Sequence, residues 1–152
     1  MEQVPRLSDQ VCFALYTASR AVTNRYRPLL DDLGVTYPQY LALLVLWERD
    51  EVTVKDLGAA LQLESSTLSP LVKRLEAAGL VRRQRRTDDE RSVLVRLTDR
   101  GSQLRERAHG IPVEIACASG LTGPELANLR ATLQRVTASM TGETSDADLV
   151  HR

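Results

Sequence analysis

Apolar residues recur at helical spacing near both ends of the chain. Intervals of three and four predict an N-terminal amphipathic helix that begins after Ser8 and ends before Pro28. Its apolar stripe consists of Leu7, Val11, Leu15, Ala18 and Val22. A C-terminal helix is predicted after a capping box formed by Thr122 and Glu125. Its stripe consists of Leu126, Leu129, Leu133, Val136 and Met140.

The middle of the chain predicts three shorter helices. Thr36 and Gln39 form a second capping box, and the helix that follows carries Tyr40, Leu44 and Trp47 on one face. A helix capped by Thr53 places Val54, Leu57 and Leu61 inward, and the next helix begins at Ser65 and ends at Gly79. Its inward positions are Leu68, Leu71, Val72 and Leu75. Two short helices joined by a tight polar turn predict a helix-turn-helix.

A β-hairpin is predicted directly after the second of these two helices. Residues 80–85 and 92–98 have short strand-like patterns, and the polar turn 86–91 separates them. A hairpin in this position is typical of the wing of a winged helix-turn-helix, although an ordinary surface hairpin would have the same pattern. A further helix is predicted from about Asp99 to the region of Pro112.

These elements predict a mainly α fold with a small β-hairpin wing. We expect a single domain over 1–141, with the winged helix-turn-helix at about 53–98 and dimerisation helices at about 8–34 and 99–140. The C-terminal stripe requires a partner helix, which the same chain or a second copy can supply. Helices at both ends of the chain favour a homodimer. Residues 142–152 are predicted to form a flexible polar tail.

Composition narrows the class of protein. Hydrophobic residues make up 43% and charged residues 26%, as in ordinary soluble proteins. No apolar run approaches the roughly 18 residues of a membrane span, and the N-terminal residues lack a secretory signal, so we expect a cytoplasmic protein. His109 and His151 are isolated, and neither a CxxC motif nor a Cys/His cluster occurs. We therefore predict no metal site and no cofactor.

The charge distribution indicates DNA binding, although the formal net charge is zero. Six basic residues and one acidic residue, Glu76, lie between Lys73 and Arg86. The start of a recognition helix presents side chains to base edges, residues further along bind phosphates, and an arginine at a wing tip can enter the minor groove. Arg91, held by Asp89, fits that last role, although the two could equally form a solvated turn pair. The predicted DNA-binding residues are Ser65, Ser66, Thr67, Ser69, Pro70, Lys73, Arg74, Arg86, Asp89 and Arg91.

The stretch TVKDLGAALQLESSTLSPLVKRLEAAGLVRRQRRTDDERSVLVRLTDRG resembles the MarR family of transcription regulators. The N-terminal segment VCFALYTASRAVTNRYRPLLDDLGVTYPQYLALLVLWE is similar to the organic hydroperoxide resistance branch of that family. This resemblance implies that Cys12 reacts with peroxide and that Tyr26 and Tyr37 of the other subunit hydrogen-bond its sulfur. Tyr16 lies one helical turn after Cys12 on the same face.

The second cysteine, Cys117, lies where some members of the branch have a resolving cysteine. The resemblance implies an intersubunit disulfide between Cys12 and Cys117, formed after Cys12 is oxidised to a sulfenic acid. The alternative is that Cys117, or both cysteines, are small hydrophobic core residues.

The leading hypothesis is a dimeric repressor, not an enzyme, that binds pseudo-palindromic operator DNA when reduced and leaves it when organic hydroperoxide oxidises Cys12. The first alternative is a MarR-type repressor released by a small aromatic ligand. A thiol peroxidase and an architectural DNA-binding protein are further alternatives. The former would leave the hairpin unexplained, and the latter would not respond to oxidation.

Overall fold

A computed structural model describes residues 5–89 and 91–142 of the chain. After a 3-10 turn at Leu7–Asp9, seven helices and three strands follow in this part of the chain. In chain order the elements are α1 (Val11–Asp31), α2 (Tyr37–Arg49), β1 (Glu51–Thr53), α3 (Val54–Leu61), α4 (Ser65–Ala77), β2 (Val81–Arg85), β3 (Val93–Leu97), α5 (Asp99–Ala108), α6 (Ile111–Ala118) and α7 (Gly123–Thr141). The predicted fold class, mainly helical with a β-hairpin wing, is confirmed. The predicted tail lies, beyond Gly142, outside the described residues.

Local capping sets the helix starts that the sequence predicts. The backbone N–H of Thr36 donates to Gln39 Oε1 at 2.8 Å, and Gln39 N–H donates to Thr36 Oγ1 at 3.4 Å. Thr122 and Glu125 form the same reciprocal pair at the start of α7. Thr53 caps α3 by accepting a hydrogen bond from Asp56 N–H at 3.0 Å.

Two helix predictions were wrong at their boundaries. Helix α1 begins at Val11, two residues later than predicted, and it continues through Pro28 to Asp31. Proline removes one helical hydrogen bond, but Leu30 beyond it is buried, and this packing holds the last turn. Helix α5 ends at Ala108, and Pro112 lies instead in the first turn of α6, where a missing N–H costs little.

The wing belongs to a three-stranded antiparallel sheet of order β1-β3-β2. β1 pairs with β3 through Val52 opposite Val95, and both side chains are buried. β1 was not predicted from the sequence, because a three-residue strand has too few positions for an alternating pattern. Its pairing partner lies more than 40 residues away.

The core of the first compact unit, which ends at Ile111, packs α2, α3, α4 and the sheet together. The inward positions predicted for α4 are all buried, whereas on α2 Leu43 and Leu46 are buried and Leu44 only partly so. The indole N–H of Trp47 donates to the carbonyl of Gly101 at 2.9 Å. A Cβ at Gly101 would lie 2.1 Å from the carbonyl oxygen of Leu80, so this contact requires glycine.

The second compact unit begins at Pro112 and contains the rest of α6 and all of α7. None of the residues of α7 is buried. Leu129, Val136 and Met140 of the predicted stripe are 45%, 37% and 80% exposed. None of the helices in residues 5–89 and 91–142 is long and apolar enough to cross a membrane.

Candidate functional site

Helix α4 has one buried face and one open polar face. Leu68, Leu71, Val72 and Leu75 fix the helix to the core. The first turns expose Ser65, Ser66, Thr67 and Ser69, and the later turns expose Lys73 and Arg74 on the same open side. Pro70 is also exposed and lies inside the helix. The open face of α4 therefore carries short hydroxyls near the helix start and two cations further along, which is the arrangement of a recognition helix in the major groove.

The wing tip is closed by backbone hydrogen bonds and one ion pair. Arg86 N–H donates to the carbonyl of Ser92 at 3.0 Å, and Ser92 N–H donates to the carbonyl of Asp89 at 3.0 Å. The guanidinium of Arg86 binds the carboxylate of Asp88 through both oxygens, at 2.8 and 2.5 Å. This hydrogen-bonded pair lowers the pKa of Asp88 to about 2 and raises the pKa of Arg86.

The expected contact between Asp89 and the Arg91 side chain was wrong. The carboxylate of Asp89 accepts a hydrogen bond from the backbone N–H of Arg91 at 3.1 Å. In the described part of the wing, the Arg91 guanidinium has no hydrogen bond or ion pair. Asp residues commonly bond a backbone N–H two positions on in this way. Asp89 thus shapes the turn from which Arg91 extends, and within this turn the carboxylate of Asp88 binds Arg86 instead.

A second ion pair, which was not predicted from the sequence, joins the end of α4 to the wing. The carboxylate of Glu76 accepts hydrogen bonds from Arg83 Nε at 2.8 Å and from Arg83 backbone N–H at 3.1 Å. Arg83 Nη2 lies 2.7 Å from the same carboxylate. The sequence feature that could have indicated this pair is that Glu76 is the one acidic residue between Lys73 and Arg86.

Cys12 lies in the first turn of α1, nearer the helix start than predicted. The free backbone N–H groups there favour a negative charge. The thiol is exposed, and so are the neighbouring apolar side chains of Val11, Phe13 and Tyr16, at 72%, 39% and 59%. Arg20 lies 5.5 Å from the centre of the Tyr16 ring. Nothing in the described chain covers this part of α1.

Tyr26 and Tyr37 lie together, as a shared site requires. Their ring centroids are 4.7 Å apart, and the ring of Tyr40 lies 5.8 Å from that of Tyr26. Burial raises the pKa of Tyr26 to about 12, with a further contribution from the two neighbouring tyrosines, and burial also raises the pKa values of Tyr37 and Tyr40. The phenols therefore stay protonated and can donate hydrogen bonds. We call these three residues the tyrosine cluster.

Within the described chain, no hydrogen bond joins the tyrosine cluster to Cys12. The sequence analysis assigned this contact to two subunits, and that assignment stays a prediction. Tyr40, which was assigned to the core, is 1% exposed but also packs against Tyr26. In the second unit, Cys117 is a free thiol on the last turn of α6 and is exposed within this chain. Its role as the resolving cysteine stays a prediction.

Known regulators resemble this chain over most of its length. Residues 24–107 match the family model of the transcriptional regulator SarA/Rot. The organic hydroperoxide resistance transcriptional regulator of Bacillus subtilis (strain 168) is 50% identical over 128 residues, which are 84% of this chain and 87% of that relative. The chain belongs to the MarR-type transcriptional regulators. The predicted family and its organic hydroperoxide resistance branch are confirmed.

Solved structures of AbfR give the same fold in two redox states. Reduced AbfR bound to DNA is 37% identical to this regulator, with 90% of this chain and 95% of that one covered and a TM-score of 0.76. Disulfide-formed AbfR is 38% identical, with 87% and 93% covered and a TM-score of 0.64. Reduced AbfR on DNA therefore superposes on this regulator better than disulfide-formed AbfR does. These relatives are regulators, in agreement with the prediction that the chain is not an enzyme.

Proposed function

We propose that this regulator is a homodimeric repressor that binds operator DNA when reduced and dissociates when an organic hydroperoxide oxidises Cys12. The observation that carries the proposal is the position of Cys12, an exposed thiol in the first turn of α1 among apolar side chains that the described chain leaves open. The 50% identical relative is named for organic hydroperoxide resistance, and AbfR has been solved both reduced on DNA and with a disulfide.

DNA binding is assigned to the open face of α4 and to the wing. In a dimer, two copies of α4 would enter successive major grooves of a pseudo-palindromic operator. The hydroxyls of Ser65, Ser66, Thr67 and Ser69 would contact bases or phosphates, and Lys73 and Arg74 would bind phosphates. The guanidinium of Arg91 would enter the minor groove. A DNA-bound repressor acts where the chromosome is, so we place the protein in the cytoplasm.

The exposed apolar positions of α1 and α7 support the dimer. On each helix, exposed apolar side chains of this kind are typical of an interaction site. A partner that covers α1 would bring its own tyrosine cluster against Cys12. The protonated phenols of Tyr26 and Tyr37 would then donate hydrogen bonds to the thiolate, which favours its charged form. Tyr16, on the same face as Cys12, would line this site.

Oxidation would proceed in two steps, formation of a sulfenic acid and then of a disulfide. The Cys12 thiolate attacks the terminal oxygen of the hydroperoxide and breaks its O–O bond. The sulfur becomes a sulfenic acid, and the alkoxide that leaves takes up a proton to become an alcohol. The thiol of Cys117 of the partner subunit then attacks this sulfenic acid, which forms a disulfide and releases water. A disulfide requires Cα atoms within about 7 Å. We propose that the accompanying movement takes the two recognition helices out of register with the operator.

The test measures operator affinity by fluorescence anisotropy, on a duplex selected from a random pool by the reduced protein. Wild type and Cys12→Ser are compared before and after one equivalent of cumene hydroperoxide, and then after dithiothreitol. We expect wild type to weaken by at least about tenfold and to recover, and Cys12→Ser to stay bound. Dissociation of Cys12→Ser would show that Cys12 is not the sensor. Unchanged binding in both proteins would favour release by a small ligand.

The role of Cys117 has its own control. Cys117→Ser should still form the sulfenic acid at Cys12, detected by dimedone labelling, but should give no crosslinked dimer on a non-reducing gel. A dimer band that persists in Cys117→Ser would remove this residue from the mechanism.

A further inference from the structure

Glu76 occupies an unfavourable place for an acid. It lies in the last turn of α4, at the negative end of the helix dipole, and it is the one acid among six basic residues between Lys73 and Arg86. A carboxylate there would weaken phosphate binding if it pointed into solvent. The structure instead turns it towards β2, where it accepts hydrogen bonds from both the backbone and the side chain of Arg83.

The contact between Glu76 and Arg83 uses two nitrogens of the guanidinium group as well as the backbone N–H. Nε and Nη2 approach the same carboxylate oxygen at 2.8 and 2.7 Å, and the other oxygen takes the backbone N–H at 3.1 Å. Arg83 stands opposite Val95 in the sheet, and the Val95 side chain is fully buried. Arg83 therefore projects from the side of β2 that faces the helices, while Glu76 ties both its backbone and its charge to the end of α4.

We propose that Glu76 is a specificity-determining residue of the DNA-binding surface. By binding Arg83 it fixes the wing strand β2 beside the recognition helix α4, and it withholds one positive charge from the phosphates. This inference rests on the proposed function, since it assumes that α4 and the wing contact the same DNA. A phosphate contact raises affinity for every sequence alike, so the withheld charge shows in the salt dependence, whereas the fixed position of the wing beside α4 supports the contacts that depend on sequence.

Salt dependence separates a withheld arginine from one that binds phosphate. Each phosphate neutralised by a protein cation changes the slope of log affinity against log salt by about 0.9. If Glu76 holds Arg83, then Arg83→Ala leaves this slope unchanged, whereas Lys73→Ala, which removes a proposed phosphate contact, makes it shallower by about 0.9. In Glu76→Gln, the freed Arg83 should make the slope steeper by about 0.9, and adding Arg83→Ala should abolish that gain.

The experiment measures affinity for two duplexes between about 50 and 200 mM salt, a range over which one phosphate contact changes affinity about threefold to fourfold. One duplex is selected from a random pool by the wild-type protein, and the other is a scrambled duplex of the same length and composition. For Glu76→Gln we expect tighter binding to the scrambled duplex, and a ratio of selected to scrambled affinity that falls by about tenfold. Thermal unfolding confirms that each variant is folded.

Glu64→Gln is the matched control. Glu64 precedes α4 as its N-cap residue, and its side chain has no hydrogen bond or ion pair in the described residues, so this change removes an equal charge without freeing an arginine. It should raise affinity for both duplexes equally and leave the slope unchanged. The proposal is overturned if Glu76→Gln behaves in the same way, or if Arg83→Ala alone lowers the slope as Lys73→Ala does. A wild-type protein that selects no sequence from the pool overturns both this inference and the proposed function.

Discussion

The winged helix and the terminal helices bury their apolar residues very differently. Every buried apolar side chain in the described residues lies between Leu30 and Ile111. Among the described residues, the large apolar side chains that are exposed all lie outside that range, from Leu7 to Val22 and from Val113 to Met140. Both regions have apolar residues at helical spacing. The same pattern thus forms a buried core in the winged helix and an exposed apolar surface on the terminal helices.

The difference teaches that periodicity predicts a helix but does not identify its partner. In α4 the inward residues find α2, α3 and the sheet within the same chain. In α7 the stripe is as regular, yet none of its residues is buried. Burial of apolar area is the main source of stability, so the terminal helices should depend on a second copy far more than the winged helix does.

The largest effect is expected from Gly101→Ala in the winged helix. The new Cβ would lie 2.1 Å from the Leu80 carbonyl oxygen, and only movement of the backbone could relieve this clash. We expect the free energy of unfolding to fall by about 3 kcal/mol, measured by urea denaturation. Gly110→Ala is the control, since its Cβ would meet no atom within 4 Å. Equal stability of the two variants would contradict the packing described for Gly101.

An intermediate effect is expected from Leu129→Glu in α7. If the exposed stripe forms the dimer interface, a charge there should weaken dimerisation by at least about tenfold, measured by sedimentation equilibrium. Asn128→Glu adds the same charge beside the stripe and should leave the dimer intact. A Leu129→Glu protein that dimerises as wild type does would show that the interface lies elsewhere.

The smallest effect is expected where α1 meets α2, at Tyr26. The pKa of Tyr26 is raised above its ordinary value of 10.0 to about 12. Its contribution to stability is therefore complete below about pH 10, and it is lost as the pH rises through about 12, because the unfolded chain ionises first. Urea denaturation across this window should show a smaller loss of stability for Tyr26→Phe than for wild type. Tyr16→Phe, on an exposed ring, should lose as much as wild type, and an equal loss in all three proteins would refute the assignment.

Local chemistry explains which parts of the fold the sequence predicts. The capping boxes at Thr36 and Thr122 and the inward face of α4 depend on residues within one or two turns, and all were confirmed. β1 was missed because its pairing with β3 is decided by distant residues. The path of α1 through Pro28 was missed because the burial of Leu30 outweighs the local preference to stop.

The candidate site divides in the same way. The exposed hydroxyls and cations of α4 follow from helix periodicity, whereas the partners of the charged residues do not. Asp89 binds a backbone N–H, Asp88 holds Arg86, and Glu76 holds Arg83 across seven positions. Which of several nearby arginines a carboxylate binds depends on how β2 packs against the end of α4, and the sequence pattern does not contain that packing. The pairing of Tyr26 with Tyr37 came from the family resemblance, since helix spacing places no contact between different helices.

The contact between Trp47 and Gly101 has a practical consequence for following the molecule. The chain contains one tryptophan, and its indole is buried with its N–H on a backbone carbonyl of the winged helix. Its fluorescence emission therefore reports the polarity of that core alone. Circular dichroism, in contrast, sums the helices of both regions. Recording both signals during one denaturant titration separates the melting of α7 from the collapse of the winged helix without any added label.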